Sequence, residues 1–253
     1  MPNQKPCLLV PDEADRTGEN ADAHEFDMFS RPDEMVELLL ATQPFPSDQE
    51  MRLVGSCIEE ELAWIRSIEN GNASSTEQCR RMLRLAYHAG HLFKNSDGRV
   101  SQREDLMDAL VGVITSATPT TTLQRILMTC EIPLLVLSLQ VGSSQRHVNR
   151  QTIVDKLSSI CEDKFDGEGM LASSDLCDFA EILGSMARII QLAEMVTPSP
   201  PLPKCILNQF QWGVRQLLVI CMGNGRPIFG KSSRLTDEFV TLLLKLGGDP
   251  SDI

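Results

Sequence analysis

Apolar residues recur along this chain at the three- and four-residue steps of one helix face, and the segments between them are rich in proline, glycine or charge. Pro32, with Asp33 and Glu34, marks a helix start; Met35, Val36, Leu38, Leu39 and Leu40 make that helix apolar, and Pro44 and Pro46 end it. Ser47 and Glu50 have capping-box spacing and open a helix striped by Met51, Val54, Ile58, Leu62 and Ile65, which Gly71 closes. From about Thr76, the residues Cys79, Met82, Leu83, Ala86 and Phe93 continue the rule. Ser101 and Glu104 supply a second capping box before Leu106, Ala109, Leu110, Val113 and Ala117, and Pro119 breaks that stripe.

The longest nearly unbroken apolar run follows, Ile132-Pro133-Leu134-Leu135-Val136-Leu137-Ser138-Leu139. Proline is tolerated in the first turn of a helix, so Pro133 predicts a separate helix starting here and stopped by Gly142. A helix apolar on every face must be covered on more than one side. The flanking stripes Leu123, Ile126, Leu127, Cys130 and Ile153, Leu157, Ile160, Cys161 supply that cover, so three helices are expected to meet at this run. Further on, Leu176, Phe179, Ala180, Leu183, Ala187 and Ile190 predict a long helix, Leu207, Phe210, Val214, Leu217 and Cys221 the next, and Phe239, Leu242, Leu243 and Leu246 the last, stopped by Gly247 and Gly248.

No segment alternates apolar and polar residues convincingly, so the fold class is all-α, either a helical bundle or an α-solenoid of stacked hairpins. Four regions follow from the same pattern: an acidic, disordered arm over 1–31, a helical domain over 32–196, a proline-rich linker over 197–203, and helices over 204–253 packing on the same domain.

Composition narrows the picture. Aromatics make up 5% of the chain, so the core is aliphatic, which suits helices better than a sandwich. The net charge of −12 and the pI near 4.8 argue against a nucleic-acid ligand, which needs clustered Lys and Arg, and point to a basic partner. Half of that charge lies in the first 34 residues, where nine acids face three bases. The eight cysteines are spread out with no C-x-x-C and fall mostly on apolar faces, as expected in a reducing, intracellular compartment, cytoplasmic or nuclear. No apolar run approaches a membrane span, Pro6–Pro11 is too short for a signal peptide, and Asn72-Ala73-Ser74 is then an unused glycosylation pattern.

The run Ile132–Leu139, its Gly142-Ser143-Ser144 turn and the helix from Val148 to Cys161 resemble the armadillo repeat, in which a proline-started apolar helix leads through a turn into the next repeat. Pro32–Leu40 followed by Ser47–Leu62 echoes the pattern, as does Phe239–Leu244 before Gly247-Gly248. Met35, Met82, Ile132 and Phe179 recur at steps of roughly 50 residues, slightly longer than the armadillo or HEAT period. The resemblance implies an irregular armadillo/HEAT-like repeat whose surface binds another protein.

Three patterns could carry chemistry. Gly225-Arg226-Pro227-Ile228-Phe229-Gly230-Lys231-Ser232 satisfies the nucleotide-binding G-x-x-x-x-G-K-[ST] pattern, in which Lys231 would meet phosphates and Ser232 would hold magnesium; Leu217–Cys221 could be the strand before it. Only Ser233–Ile253 follows, too little for the remaining parallel strands, and Ile228-Phe229 suggests packing, so a helix-connecting turn is the adopted reading. Two stretches follow the EF-hand register from its third position: Asn95, Asp97, Gly98, Val100 and Glu104, and Asp166, Glu168, Gly169, Leu171 and Asp175. Both lack the first carboxylate, replaced by Phe93 and by Lys164, which leaves metal-free, degenerate versions. His88 and His91 stand one helical turn apart without further ligands, and His24 and His147 stand alone. Thr197-Pro198 and Ser199-Pro200 fit proline-directed phosphorylation as well as a stiff connector.

No pattern for nucleophilic catalysis is present. The expectation is therefore a non-enzymatic interaction scaffold or adaptor with no cofactor and no catalytic or metal site, binding a protein and neither nucleic acid nor membrane. The alternatives are a nucleotide-binding protein using Gly225–Ser232 or a degenerate EF-hand-like module.

Overall fold

The computed structural model describes residues 32–43, 58–69, 75–93, 100–139, 149–195, 201–221, 226–229 and 234–248. They form α1 (Pro32–Ala41), α2 (Ile58–Glu69), α3 (Thr76–Phe93), α4 (Val100–Ser116), α5 (Thr122–Ile126), α6 (Ile132–Leu139), α7 (Arg150–Lys164), α8 (Phe179–Met195), α9 (Lys204–Ile220) and α10 (Asp237–Gly247). Among the described residues, extended pairing is limited to two isolated antiparallel bridges, Phe165 with Leu171 and Cys221 with Pro227. The all-α reading therefore holds for them. No described helix is long and apolar enough to cross a membrane.

The stripes read from the sequence are the buried faces. Ile58, Leu62 and Ile65 on α2, Cys79, Met82, Leu83 and Ala86 on α3, Leu106, Leu110 and Val113 on α4, and Phe210, Val214 and Leu217 on α9 all lie in one continuous core. Burying each such Leu, Ile or Phe contributes roughly 1.5–3 kcal/mol. Helix starts follow capping chemistry, although not always where the spacing placed it. Ser101 lies inside α4, not at its cap. The box at Ser47 and Glu50 lies outside the described residues. Ser75 and Gln78 form a reciprocal box at α3 instead, and Thr121 and Gln124 another at α5.

The central run departs from the expected separate helix. Residues 122–139 form one continuous rod in which a π-helical segment, Leu127–Glu131, joins α5 to α6. The Ile132 N–H donates to the Leu127 carbonyl, five residues back. Pro133 has no N–H to donate, and in a regular helix its ring would press on the carbonyl four residues earlier. The wider turn lies immediately before it, and π-bulges of this kind interrupt α-helices at single turns. Leu123, Ile126, Leu127, Met128, Cys130, Ile132, Leu134, Leu135 and Val136 are all buried, because α3, α4, α7 and α8 pack around the rod.

Elsewhere α1 packs on α3 and α2 on α4. On the other side α9 packs on α7, α8 and α10, and α10 touches α1, so the first and last described helices meet.

Candidate functional site

The least expected side chain in the core is Glu131, a carboxylate with no solvent exposure at the end of the π segment. Its neighbours Cys130 and Ile132 are buried as well, so the rod turns no face to solvent here. An ionised carboxylate is tolerated inside a protein only when paired and hydrogen-bonded. α8 supplies the pair. Arg188, 1% exposed, donates from Nε to Glu131 Oε1 at 2.5 Å and from Nη2 to Oε2 at 3.1 Å. Tyr87 of α3 donates its hydroxyl to Oε1 at 3.0 Å, and Ser185 donates to Oε2 at 2.5 Å. The remaining guanidinium nitrogen, Nη1, reaches the backbone carbonyl and Oγ1 of Thr42, just beyond α1, at 3.2 and 3.0 Å.

Burial alone would lower the Arg188 pKa, but the Glu131 charge and hydrogen bonds, with Tyr87 behind them, outweigh it and hold Arg188 above its usual value. Burial first, and the Glu131 charge second, push the Tyr87 hydroxyl well above its usual range. The cluster is thus a charged pair with a neutral phenol, and both carboxylate oxygens are already engaged. It joins α1, α3, the central rod and α8 and presents no open valence to a substrate.

Cysteine chemistry is muted for the same physical reason. Cys79, Cys130 and Cys161 are buried and unpaired. Desolvation pushes their thiols up to about 11, 11 and 12. A reactive cysteine needs the opposite shift.

The sequence candidates separate clearly. Of the two EF-hand-like stretches, residues 94–99 lie outside the described residues, while Lys164–Asp175 is seen in full. In that loop Asp166 Oδ1 accepts the N–H groups of Glu168 and Met170 at 2.8 and 3.0 Å, so the carboxylate is spent on its own turn. Phe165 bridges Leu171 across the loop. Gly167 and Gly169 take positive φ of 88° and 83°. A Cβ on Gly169 would collide with the backbone of Trp212 and Gly213, whereas one on Gly167 would meet nothing. The loop is a packing element seated on α9. Among the described residues no group of three or more His, Cys, Asp or Glu side chains is placed to hold a metal ion. His88 is half-buried on α3, and the side chain of His91 lies outside the described residues, as do residues 197–200 of the proline-rich linker.

The strand that the nucleotide-binding alternative requires at Leu217–Cys221 is not there. Leu217–Ile220 are the last turn of α9, and the chain returns on that helix: Ile228 donates its N–H to the Ile220 carbonyl at 3.0 Å, and Cys221 bridges Pro227. A phosphate-cradling loop emerges from a parallel strand, and a helix stands here instead. Gly225 and Gly230–Ser232 themselves lie outside the described residues.

Nor are Ile228 and Phe229 packed away. They are 55% and 43% exposed, beside Val219 at 75% and Trp212 at 44%. Trp212 and Val219 sit two turns apart on the outer face of α9, and the bond from Ile228 to Ile220 brings the returning segment next to Val219. Arg215 lies over the Trp212 ring, 5.0 Å from its centroid. The chain contains no Asp or Glu between Glu194 and Asp237, while Lys204, Arg215, Arg226, Lys231 and Arg234 fall there. The net charge of −12 is therefore +5 over this stretch and −17 over the rest. A chain-wide average hid that signal; a charge count by segment shows it.

No family model, no curated protein and no solved structure matches this chain.

Proposed function

We propose that this protein is a non-enzymatic interaction scaffold, an irregular armadillo/HEAT-like pairing of helices that works by being bound through an outer helix face. The packing of α1 on α3 and of α2 on α4, helix against next-but-one helix, supports the repeat-like reading. Contact between α1 and α10 brings the first and last described helices together, which favours a binding surface on the outside of the array over an open groove. A reducing compartment, cytoplasmic or nuclear, agrees with six cysteines that stand unpaired among the described residues.

One observation carries the reading: four large apolar side chains, Trp212, Val219, Ile228 and Phe229, are exposed along the outer face of α9 and on the segment that returns to its last turn. Grouped exposed apolar residues of this kind mark interaction sites, whereas single ones do not. The buried ionic cluster offers a substrate nothing comparable. Affinity capture with the full chain and with its Val219→Ser, Ile228→Ser variant tests the proposal. The expected result is a stoichiometric protein recovered by the parent chain and lost from the variant, with both chains equally stable. Equal recovery by both, or no recovered protein, overturns it.

A further inference from the structure

We infer that Cys205 and Cys161 are a redox pair: peroxide oxidises the exposed thiol of Cys205, and the buried thiol of Cys161 then closes a disulfide that fastens the start of α9 to α7. The inference concerns the α7–α9 junction and stands apart from the scaffold reading.

α9 packs on α7, and its first turn carries Cys205. Cys205 Sγ donates to Ser158 Oγ of α7 at 3.9 Å. Ser158 and Cys161 are three positions apart on α7, so they share a face, one turn from each other. Ser158 therefore holds the Cys205 sulfur against the strip of α7 that carries Cys161. Cys205 is exposed, whereas Cys161 has no solvent exposure. After burial, the charge that does most to push the Cys161 thiol up to about 12 is that of Cys205, which puts the two sulfurs within electrostatic reach.

The surroundings favour this pair over other cysteine chemistry. Among the described residues no group of three His, Cys, Asp or Glu side chains is placed to hold a metal ion, so these thiols are left with pairwise bonding. Cys177 is exposed as well, but the helix its short turn packs on, α8, carries no cysteine.

Exposure and burial divide the labour. Peroxide reaches an accessible sulfur first. Cys205 Sγ attacks one peroxide oxygen, the O–O bond breaks, and the other oxygen leaves with the thiol proton as water, so that Cys205 becomes a sulfenic acid. Cys161 Sγ then attacks the Cys205 sulfur. The S–O bond breaks, and the hydroxyl leaves with the Cys161 proton as a second water. Two electrons pass from the two thiols to one peroxide. Cys161 keeps its proton until that step, which protects it from direct oxidation. In a reducing compartment such a bond is transient, because small thiols return it to the dithiol.

The test is peptide mapping without reductant of the folded full chain after brief exposure to hydrogen peroxide, with the remaining thiols alkylated in denaturant. Expected is one dominant linked pair, the Cys161 peptide joined to the Cys205 peptide at two hydrogens less than their summed mass. Two alkylatable thiols per chain should be lost, and dithiothreitol should restore both. Cys205→Ser changes an exposed side chain and should fold as the parent does, yet it should abolish the loss. Cys177→Ser should leave the loss intact. A chain unfolded in urea before peroxide is added should scatter its pairing, because the preference comes from helix packing.

Recovery of Cys205 as sulfinic or sulfonic acid with Cys161 still alkylatable would overturn the inference. So would a dominant bond between the Cys205 residues of two chains, or the same pair at the same yield from the unfolded chain. Affinity capture by the outer face of α9 is scored separately, so failure here leaves the scaffold reading standing.

Discussion

Arg188 reaches Thr42 across 146 positions of chain, donating from Nη1 to its carbonyl and to its hydroxyl at 3.2 and 3.0 Å, while Nε and Nη2 hold Glu131. Thr42 in turn donates its hydroxyl to the Leu38 carbonyl at 2.7 Å, so one guanidinium satisfies both the buried carboxylate and the end of α1. A buried charge left without its partner is costly, and that sets the first expectation.

Glu131→Gln and Arg188→Gln should each destabilise the protein by about 3–5 kcal/mol in denaturant unfolding, because each strands the opposite charge. The double variant should cost less than the sum, with a coupling of about 2 kcal/mol or more. Strict additivity would mean that the two groups do not share one network.

Gly184 of α8 faces the same junction. A Cβ there would sit 2.5 Å from the Thr42 carbonyl oxygen and 3.2 Å from Cε2 of Phe239. Gly184→Ala should cost about 1–3 kcal/mol through this overpacking. Amide exchange of α1 should accelerate before that of the central rod. Unchanged protection in α1 would show that the α1 end is not held there.

The two positive-φ glycines of the α7–α8 loop separate backbone strain from packing. Gly167→Ala pays only for a left-handed conformation, about 1 kcal/mol, since nothing lies within 4 Å of the added carbon. Gly169→Ala adds a clash with the backbone of Trp212 and Gly213 and should be clearly the more destabilising. Equal midpoints in parallel melts would mean that the loop does not sit on α9.

Buried thiols make stability fall at high pH. Cys130 and Cys161 are raised from 9.0 to about 11 and 12 by burial. Below pH 9 folded and unfolded chains both hold these protons and the thiols add no pH dependence. Above pH 9 the unfolded chain releases protons that the folded chain keeps, so stability drops by about 1.4 kcal/mol per pH unit for each thiol until its folded value is reached. Chemical denaturation between pH 7 and 11 should show a plateau and then this decline, and Cys161→Ala should reduce its slope. A flat profile to pH 11 would contradict the burial of these groups.

The helices were legible because the signal for them is local. A residue and its neighbours three and four positions away share a face whatever the rest of the chain does, so stripes such as Ile58, Leu62 and Ile65 mark the core directly. Pro133 misled for the same reason: its start signal is real, but a π turn upstream let the rod run through it. The basic bias between Glu194 and Asp237 was present in the sequence and lost in the average.

Composition and spacing by themselves determined that the described residues are helical around an aliphatic core. The expectation that most cysteines lie on apolar faces met a mixed outcome, since of the six described only Cys79, Cys130 and Cys161 are buried. Tertiary structure alone decided that Glu131 is paired and not exposed, that Gly169 rests on Gly213, and that the outer side of α9 stays open. The reason is range: periodicity acts within a turn, whereas Glu131 meets its counter-charge 57 positions away, and a face is left bare only by where every other helix goes.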